Sequence, residues 1–447
     1  MALQNTNFSN QEINNFLKNA KRIFFIGIGG ISMSSIATYL HYNGMEIYGY
    51  DRERTEICQK LEAIAEIKYY STPDRVRGMD LVVYSLAVEE NNFEYKMAKK
   101  LQIPTLSRAN LLGYIISSYK TSIGIAGTHG KSTTVSLLSK IFDYAGQKPT
   151  VFCGAYMKDF GGAFLMGNPQ VCIYEACEYK NSFLSMIPEQ LGILNIEYDH
   201  PDFFETTEKL EESFIKLSNT PNKVFLNADD KVSKKIINRE VISYGIESDA
   251  DYRAIIESDG FSVIYKGEKI AKCKAPFKGK HFVYDAICAF AIAHQNNVLP
   301  NVICSAISEF RGLKRRLEYI GKTDTSLPIF EDYAHHPTEI KATLSALLEM
   351  GYKRIFVVFQ PHTYSRSYYL YDKFTEAFNG ASEIYFLPTY KAREENVFGL
   401  DEEKFALDSG GELLHSYESL KERISKTNCD VILISGAGDI TNFKKYL

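Results

Sequence analysis

Short apolar runs rich in β-branched residues alternate with stretches of helical period along nearly the whole of this chain. "RIFFIGI" is followed by "SMSSIATYLHYNG", "MEIYGYD" and "MDLVVYS". The middle carries "SIGIAG", "KSTTVSLLSKIFDYAG", "VCIYEA", "LGILNI" and "KVFLNAD", and the last third "LPIFEDYA", "RIFVVFQP", "EIYFLPT" and "VILISGAG". Strands that are apolar on both faces need cover on both faces, and the helices between them supply it. The pattern therefore predicts an α/β fold built on parallel sheets. At 447 residues the chain is too long for one core. The alternation divides it into three units, with seams near residues 116 and 313. One stretch of the middle unit, "DADYRAIIESDGFSVIYKGEKI", alternates polar and apolar residues and predicts a small antiparallel excursion.

Two glycine-rich turns stand at strand-to-helix junctions. In "FFIGIGGISMSSIA", Gly27, Gly29 and Gly30 let the backbone approach a pyrophosphate at a helix N-terminus, and Asp51 closes the next strand where a ribose-binding acid would sit. Ser32 occupies the place of the third glycine in GxGxxG, and the turn by itself fits either a nicotinamide dinucleotide or another nucleoside diphosphate. The second turn, "GTHGKST", follows "SIGIA" and opens a helix as a P-loop does, although Ile125 makes it the shorter GxxGKS form. Its backbone N–H groups suit phosphate oxygens, Lys131 the β and γ phosphates, and a hydroxyl Mg²⁺. Glu175, Glu178, Glu197, Asp199 and His200 follow later strands and are candidates for the remaining hard ligands.

The hydrophobic share of 45% and the formal charge of −4 fit a globular chain and advertise neither a nucleic-acid surface nor an anionic-membrane surface. No apolar run reaches the roughly 18 residues that span a bilayer, and the opening "MALQNTNFSNQEINNFLKNA" lacks an apolar secretion core. Eight cysteines without a CxxC pair predict free, buried, reduced thiols, and with them a cytoplasmic location.

Taken in order, several stretches resemble the Mur ligases over nearly the whole chain. They are "GIGGISMSSIA", "TLSRANLLGYI", "GTHGKST", "EACEYKNSFL", "NIEYDHPDFF", "FRGLKRRLE", "EDYAHHPTEI", "FQPHTYSRS" and "GAGDI". The resemblance implies a Rossmann-like UDP-substrate-binding domain over residues 1–115. It implies a central P-loop ATPase domain with a parallel sheet over 116–312, and a Rossmann-like amino-acid-binding domain over 313–447. The implied activity is the ATP- and Mg²⁺-dependent joining of L-alanine to the lactyl carboxylate of UDP-N-acetylmuramate in peptidoglycan precursor synthesis, by a cytoplasmic monomer or weak homodimer. The alternative is a relative that adds another amino acid or a peptide; "YAHHPTE" with "FQPH" points to alanine.

Carried over by position, the resemblance assigns Gly127, Thr128, His129, Gly130, Lys131, Ser132 and Thr133 to ATP, with His281, Asp285, Arg315, Arg316 and Asp332. Ser132, Glu175 and His200 would hold the metal. Gly27, Gly29, Gly30, Ile31, Ser32, Asp51, Ser85, Arg108, Glu178 and Tyr333 would face the UDP substrate. Lys131, Glu175, His200, His335, His336, His362 and Arg366 would surround the reacting carboxylate and the incoming alanine, the three later histidines being candidates for taking the ammonium proton. The sequence departs from the family pattern at Ser132, usually threonine, and at Thr363, often arginine. It also departs at Phe282 and Asp285, which replace amides in the adenine-reading segment.

Overall fold

The computed structural model describes residues 3–446 except 239 and 393. It contains three sheets in chain order. The first has five parallel strands, β1 (Arg22–Ile26), β2 (Glu46–Tyr50), β3 (Ala65–Lys68), β4 (Leu81–Tyr84) and β5 (Thr105–Ser107), ordered β3-β2-β1-β4-β5. Strand order reverses between β1 and β4, so the crevice at their carboxyl ends lies over the first glycine turn.

The second sheet has ten strands. They are β6 (Thr121–Ala126), β7 (Thr150–Met157), β8 (Gly162–Leu165), β9 (Val171–Glu175), β10 (Gln190–Ile193), β11 (Lys223–Asn227), β12 (Val241–Gly245), β13 (Tyr252–Glu257), β14 (Gly260–Tyr265) and β15 (Glu268–Lys274). The order is β15-β14-β13-β12-β11-β10-β6-β9-β7-β8, with β6 central and parallel to both neighbours. The expected antiparallel excursion is β13-β14-β15, joined to the rest through a short parallel pairing of β12 with β13. The third sheet has order β16-β17-β21-β18-β19-β20. Its strands are β16 (Glu318–Lys322), β17 (Pro328–Asp332), β18 (Ile355–Phe359), β19 (Glu383–Phe386), β20 (Glu412–Leu413) and β21 (Val431–Ser435), and only β16 runs antiparallel.

The central strands are apolar on both faces, as β18 and β21 show by full burial, and helices cover them. The helix Lys280–Gln295 buries eleven side chains from Phe282 to Ala293, so it is apolar nearly all round and lies within the central core against the P-loop helix Lys131–Tyr144. The first two sheets share a core. The helix Arg108–Ser117 packs so closely on the 179–185 segment that a Cβ at Gly113 would collide with the Ser185 carbonyl.

The cysteines differ from expectation. Cys273 of β15 and Cys304 of the helix Pro300–Ser308 form a disulfide, because the antiparallel excursion lays β15 against that helix and brings the two Cα atoms to 4.7 Å. The other six are free, and all but Cys177 are buried. Among the described residues no helix is long and apolar enough to cross a membrane.

Candidate active site

The first turn is held from beneath. Gly29 N–H donates to Asp51 Oδ2 (2.7 Å), and Arg52 N–H donates to Asp51 Oδ1 (2.7 Å), so one oxygen holds the turn while the other is fixed by the backbone that follows β2. Arg108 donates to Ser32 Oγ (3.0 Å), tying the helix Arg108–Ser117 to the same N-terminus. Gly27, Gly30, Asp51 and Ser85 line a cavity of about 650 Å³ that also meets Phe93 and Lys96. Ile31 begins the helix that follows.

The second turn leaves β6 at Ala126 and enters its helix at Lys131. Gly130 caps that helix at φ +83°, where a Cβ would be strained and would strike the Asp285 carboxyl packed below. The loop is cross-braced: Thr128 Oγ1 donates to the Glu197 carbonyl (2.9 Å), and His129 N–H donates to Asn195 Oδ1 (2.8 Å). Lys131 Nζ folds back onto the Gly127 and Thr128 carbonyls and pairs with Glu178 at 3.0 Å. Burial opposes both charges of that pair. Each carries the other, so the Lys131 pKa is raised and the Glu178 pKa lowered.

From this lysine a chain of polar contacts runs into the third unit. Glu178 Oε1 lies 3.5 Å from His200 Nε2, and His200 Nε2 lies 3.8 Å from Asp199 Oδ2. Asp199 Oδ1 accepts from Arg366 Nε at 2.9 Å, and Arg366 in turn donates to the His362 carbonyl (3.0 Å) and meets its Nδ1 (3.2 Å). The His335 ring lies 5.7 Å from that of His362, and His335 Nδ1 is 2.9 Å from the Tyr333 carbonyl. Asp199 and Arg366 are buried at 7% and 5% side-chain exposure; the carboxylate pKa falls well below its usual range because Arg366 outweighs burial. Burial lowers His335 to about 3, helped by the Arg366 charge, and His362 to about 4 for the same two reasons. Both imidazoles are neutral at pH 7.

A second link crosses the same seam. His129 of the P-loop sits between Glu197 (3.4 Å) and Glu339 (3.3 Å). Burial works against its charge, but the two carboxylates prevail and raise it to about 9. Thr338 Oγ1 donates to Glu197, and Arg316 lies 3.4 Å from Glu339. His336, also lowered by burial to about 4, is the N-cap of the helix Pro337–Glu349. Its Nδ1 accepts from Thr338 N–H, its Nε2 lies 3.3 Å from the Tyr198 carbonyl, and Glu339 completes the capping box.

Thus the expected residues Lys131, Glu178, His200, His335, His362 and Arg366 come together, and His336 serves the helix that flanks them. Arg315 differs from expectation. Its guanidinium donates to the Gly436 carbonyl and pairs with the buried Glu331, which Lys444 also meets, while Arg316 lines the nucleotide-sized cavity instead. That cavity, about 360 Å³, is also lined by His129, Gly130, Thr133, His281, Asp285 and Asp332. Glu339 was not foreseen, although its His-x-x-Glu spacing after Pro337 is a capping signal.

Ser132 Oγ donates to Glu175 Oε2 at 2.7 Å, and Gly154 N–H shares that oxygen at 2.9 Å. Neighbouring ligands of an octahedral Mg²⁺ with bonds of about 2.1 Å lie about 3 Å apart. The hydroxyl and carboxylate therefore fit that ion as adjacent hard donors.

A P-loop whose lysine is wired to a histidine and arginine group on another sheet, beside a separate glycine turn with its own cavity, defines a three-unit nucleotide-dependent ligase. Family models match in that order: "Mur ligase family, catalytic domain" over 22–120, "Mur ligase middle domain" over 125–293 and "Mur ligase, glutamate ligase domain" over 315–438. The chain belongs to the Mur ligase family.

Its curated relatives include UDP-N-acetylmuramate--L-alanine ligases. That of Caldanaerobacter subterraneus subsp. tengcongensis is 37% identical, covering 95% of this chain and 96% of the relative. That of Clostridium novyi is 38% identical, covering 95% and 97%. The solved UDP-N-acetylmuramate-alanine ligase of Thermotoga maritima matches with a TM-score of 0.81 at 26% identity, over 95% of this chain and 97% of that one. A murein peptide ligase from Psychrobacter arcticus shares the fold, with a TM-score of 0.73 at 21% identity over 96% and 98%.

Proposed function

We propose that this chain joins L-alanine to the lactyl carboxylate of UDP-N-acetylmuramate at the expense of ATP, releasing ADP and phosphate, as a cytoplasmic step of peptidoglycan precursor synthesis. The observation that carries the reading is the polar chain from Lys131 through Glu178, His200 and Asp199 to Arg366 and His362. It links the P-loop lysine of the second unit to a histidine and arginine group of the third, which supports a site where phosphate and amino acid meet.

A carboxylate is a poor electrophile, so it must first be activated. Its oxygen attacks the γ-phosphorus of ATP, the bond to ADP breaks, and an acyl phosphate forms. The amine of alanine then attacks the acyl carbon, and phosphate leaves through a tetrahedral intermediate. The protein's part is positioning and charge neutralisation. Lys131, released from Glu178 and the loop carbonyls, neutralises the phosphoryl oxygens. Ser132 and Glu175, with His200 alongside, would hold the Mg²⁺, which supplies further neutralisation when bound. Arg366 orients the alanine carboxylate with the one guanidinium nitrogen not engaged by Asp199 or His362. The neutral His335 and His362 are the groups available to take the ammonium proton. The first turn and its cavity hold the UDP portion, residues 1–115, 116–312 and 313–447 act as the three substrate-specific domains, and the enzyme works as a monomer or weak homodimer.

The test is phosphate release with Mg-ATP, UDP-N-acetylmuramate and L-alanine together and with each omitted in turn. Release that needs both co-substrates, with a new amide product by mass, is the expected outcome. Release indifferent to alanine would overturn the reading.

A further inference from the structure

The hairpin of β7 and β8 touches all three units. Its Phe152 and Phe164 rings lie 5.9 and 6.5 Å from the ring of Tyr39, on the helix Ile31–Tyr42 that opens from the first glycine turn. Further along β7, Gly154 N–H holds the Glu175 carboxylate that faces Ser132. The end of the hairpin grips the segment leading into the third unit. Lys314 N–H donates to the Tyr156 carbonyl (3.0 Å), and Lys158 N–H donates to the Gly312 carbonyl (3.1 Å). The Lys158 ammonium also pairs with Glu318 of β16 at 3.0 Å. That segment has positive φ at Arg315 and Leu317, which their side chains disfavour, so its path is set by the contacts around it and not by local preference.

Among these contacts stands one aromatic ring that two cations meet. Lys314 Nζ is 4.3 Å from the Tyr156 ring centroid and Lys60 Nζ 5.3 Å, both within the reach of about 6 Å over which a ring attracts an ammonium. The two lysines come from different units, and like charges gathered at one place repel. The ring and Glu56 offset that repulsion. Glu56 pairs with Lys60 at 2.8 Å, and its pKa is held down by Lys60 first and by Lys314 next. Lys60 and Glu56 ride on the helix Glu56–Leu61, whose Cys58 packs against Gly29 of the first turn. Neither Tyr156 nor Lys60 is among the described residues that line the cavities at the two glycine turns. Any effect of theirs on the reaction therefore passes through the placement of the units.

We propose that Tyr156 is a positioning residue: it fastens the connection into the third unit to the helix packed on the first glycine turn, so that a docked UDP-substrate unit fixes the group that receives alanine. The proposal rests on the ligase reading above. A misplacement of about 1 Å between reacting groups costs about a hundredfold in rate, so a contact far from the chemistry can govern it.

The experiment measures kcat/KM for L-alanine on the intact chain, with ATP and UDP-N-acetylmuramate saturating. Tyr156→Leu, which removes the ring, and Lys60→Met, which removes one cation, should each lower it about tenfold. Tyr156→Phe keeps the ring and should stay within about twofold of the parent. The double variant Tyr156→Leu with Lys60→Met should be no worse than Tyr156→Leu, because both changes break one contact. Parent-like kinetics in Lys60→Met, a loss in Tyr156→Phe as large as in Tyr156→Leu, or losses that multiply in the double variant would each overturn the proposal. Lys60 is 59% exposed, so its variant carries the test even where Tyr156→Leu does not fold. Tryptic cleavage after Lys314, Arg315 and Arg316 gives a readout apart from turnover: UDP should slow it in the parent and not in Lys60→Met. No slowing in the parent, or equal slowing in both, counts against the proposal. Absence of turnover in the parent fails the ligase reading instead, and the tryptic comparison then decides alone.

Discussion

Lys131 rests on Glu178 and the loop carbonyls, and the proposed reaction requires it to move from there to the phosphoryl group. Lys131→Ala removes a preorganised charge from the transition state, roughly 3 kcal/mol, or about a hundredfold in kcat. It also strands the Glu178 carboxylate in a buried site, so the melting temperature falls too. Phosphate-release kinetics and calorimetry on the same variant read the two effects, and undiminished turnover would remove the lysine from the mechanism. Asp285 presents a different case, that of an acid kept neutral. Burial raises its pKa from 3.8 to about 8. Between those values the folded chain keeps a proton that the unfolded chain has lost, so stability declines as pH rises across that window and levels off above it. Asp285→Asn cancels this dependence, and its melting temperature relative to the parent should rise steadily from pH 5 to pH 8. Parallel melting profiles for the two proteins would assign the proton to another group.

Among the helices, Pro337–Glu349 shows how one residue can be mistaken for chemistry. His336 stands beside His335 in "YAHHPTE" and resembles a catalytic pair, yet both its nitrogens are engaged in capping the helix and meeting the Tyr198 carbonyl. His336→Ala should cost about 1 kcal/mol of stability, and His336→Asn, a strong N-cap, should restore most of it. If the cap is its role, the asparagine variant turns over within about tenfold of the parent. A hundredfold loss in a variant of restored stability would return His336 to the proton-transfer group. The same contrast explains what was legible in the sequence. Strands and glycine turns are written locally, in runs of apolar residues and in "GIGGIS" and "GTHGKST", and the structure has them in place. The partners of the site residues are not written locally. Asp199 finds Arg366 across 167 positions, and His129 reaches Glu339 through a fold that must first bring the second and third sheets together. The expectation of free thiols failed at Cys273 and Cys304 for the same reason: spacing could not show β15 lying on the helix Pro300–Ser308. Arg315 and Arg316 are adjacent in sequence, but Arg315 turns to buried Glu331 and Arg316 to Glu339, partners the sequence does not display.

At the scale of the whole molecule, the third unit meets the second through a short segment and a few polar contacts. Gly312, Arg315 and Leu317 all have positive φ there, so the connection turns sharply within six residues, and two of the three bear side chains that disfavour it. Beyond that segment, the Asp199–Arg366 pair is a buried charge pair joining the two units, with Glu197–Thr338 and His129–Glu339 beside it. Breaking a buried pair from one side leaves an uncompensated charge and costs about 3–5 kcal/mol, whereas removing both charges avoids most of that loss. Asp199→Asn and Arg366→Met should therefore each destabilise the chain, most visibly as an earlier calorimetric transition for the third unit. The double variant should be more stable than the sum of the two losses predicts. Turnover should behave differently: it stays low in Arg366→Met and in the double variant, because the guanidinium that joins the units is also the one proposed to orient the incoming carboxylate. Additive losses in stability would mean the two residues are not coupled. Recovered turnover in the double variant would mean that Arg366 serves only to hold the units together, and the alanine carboxylate would need another partner.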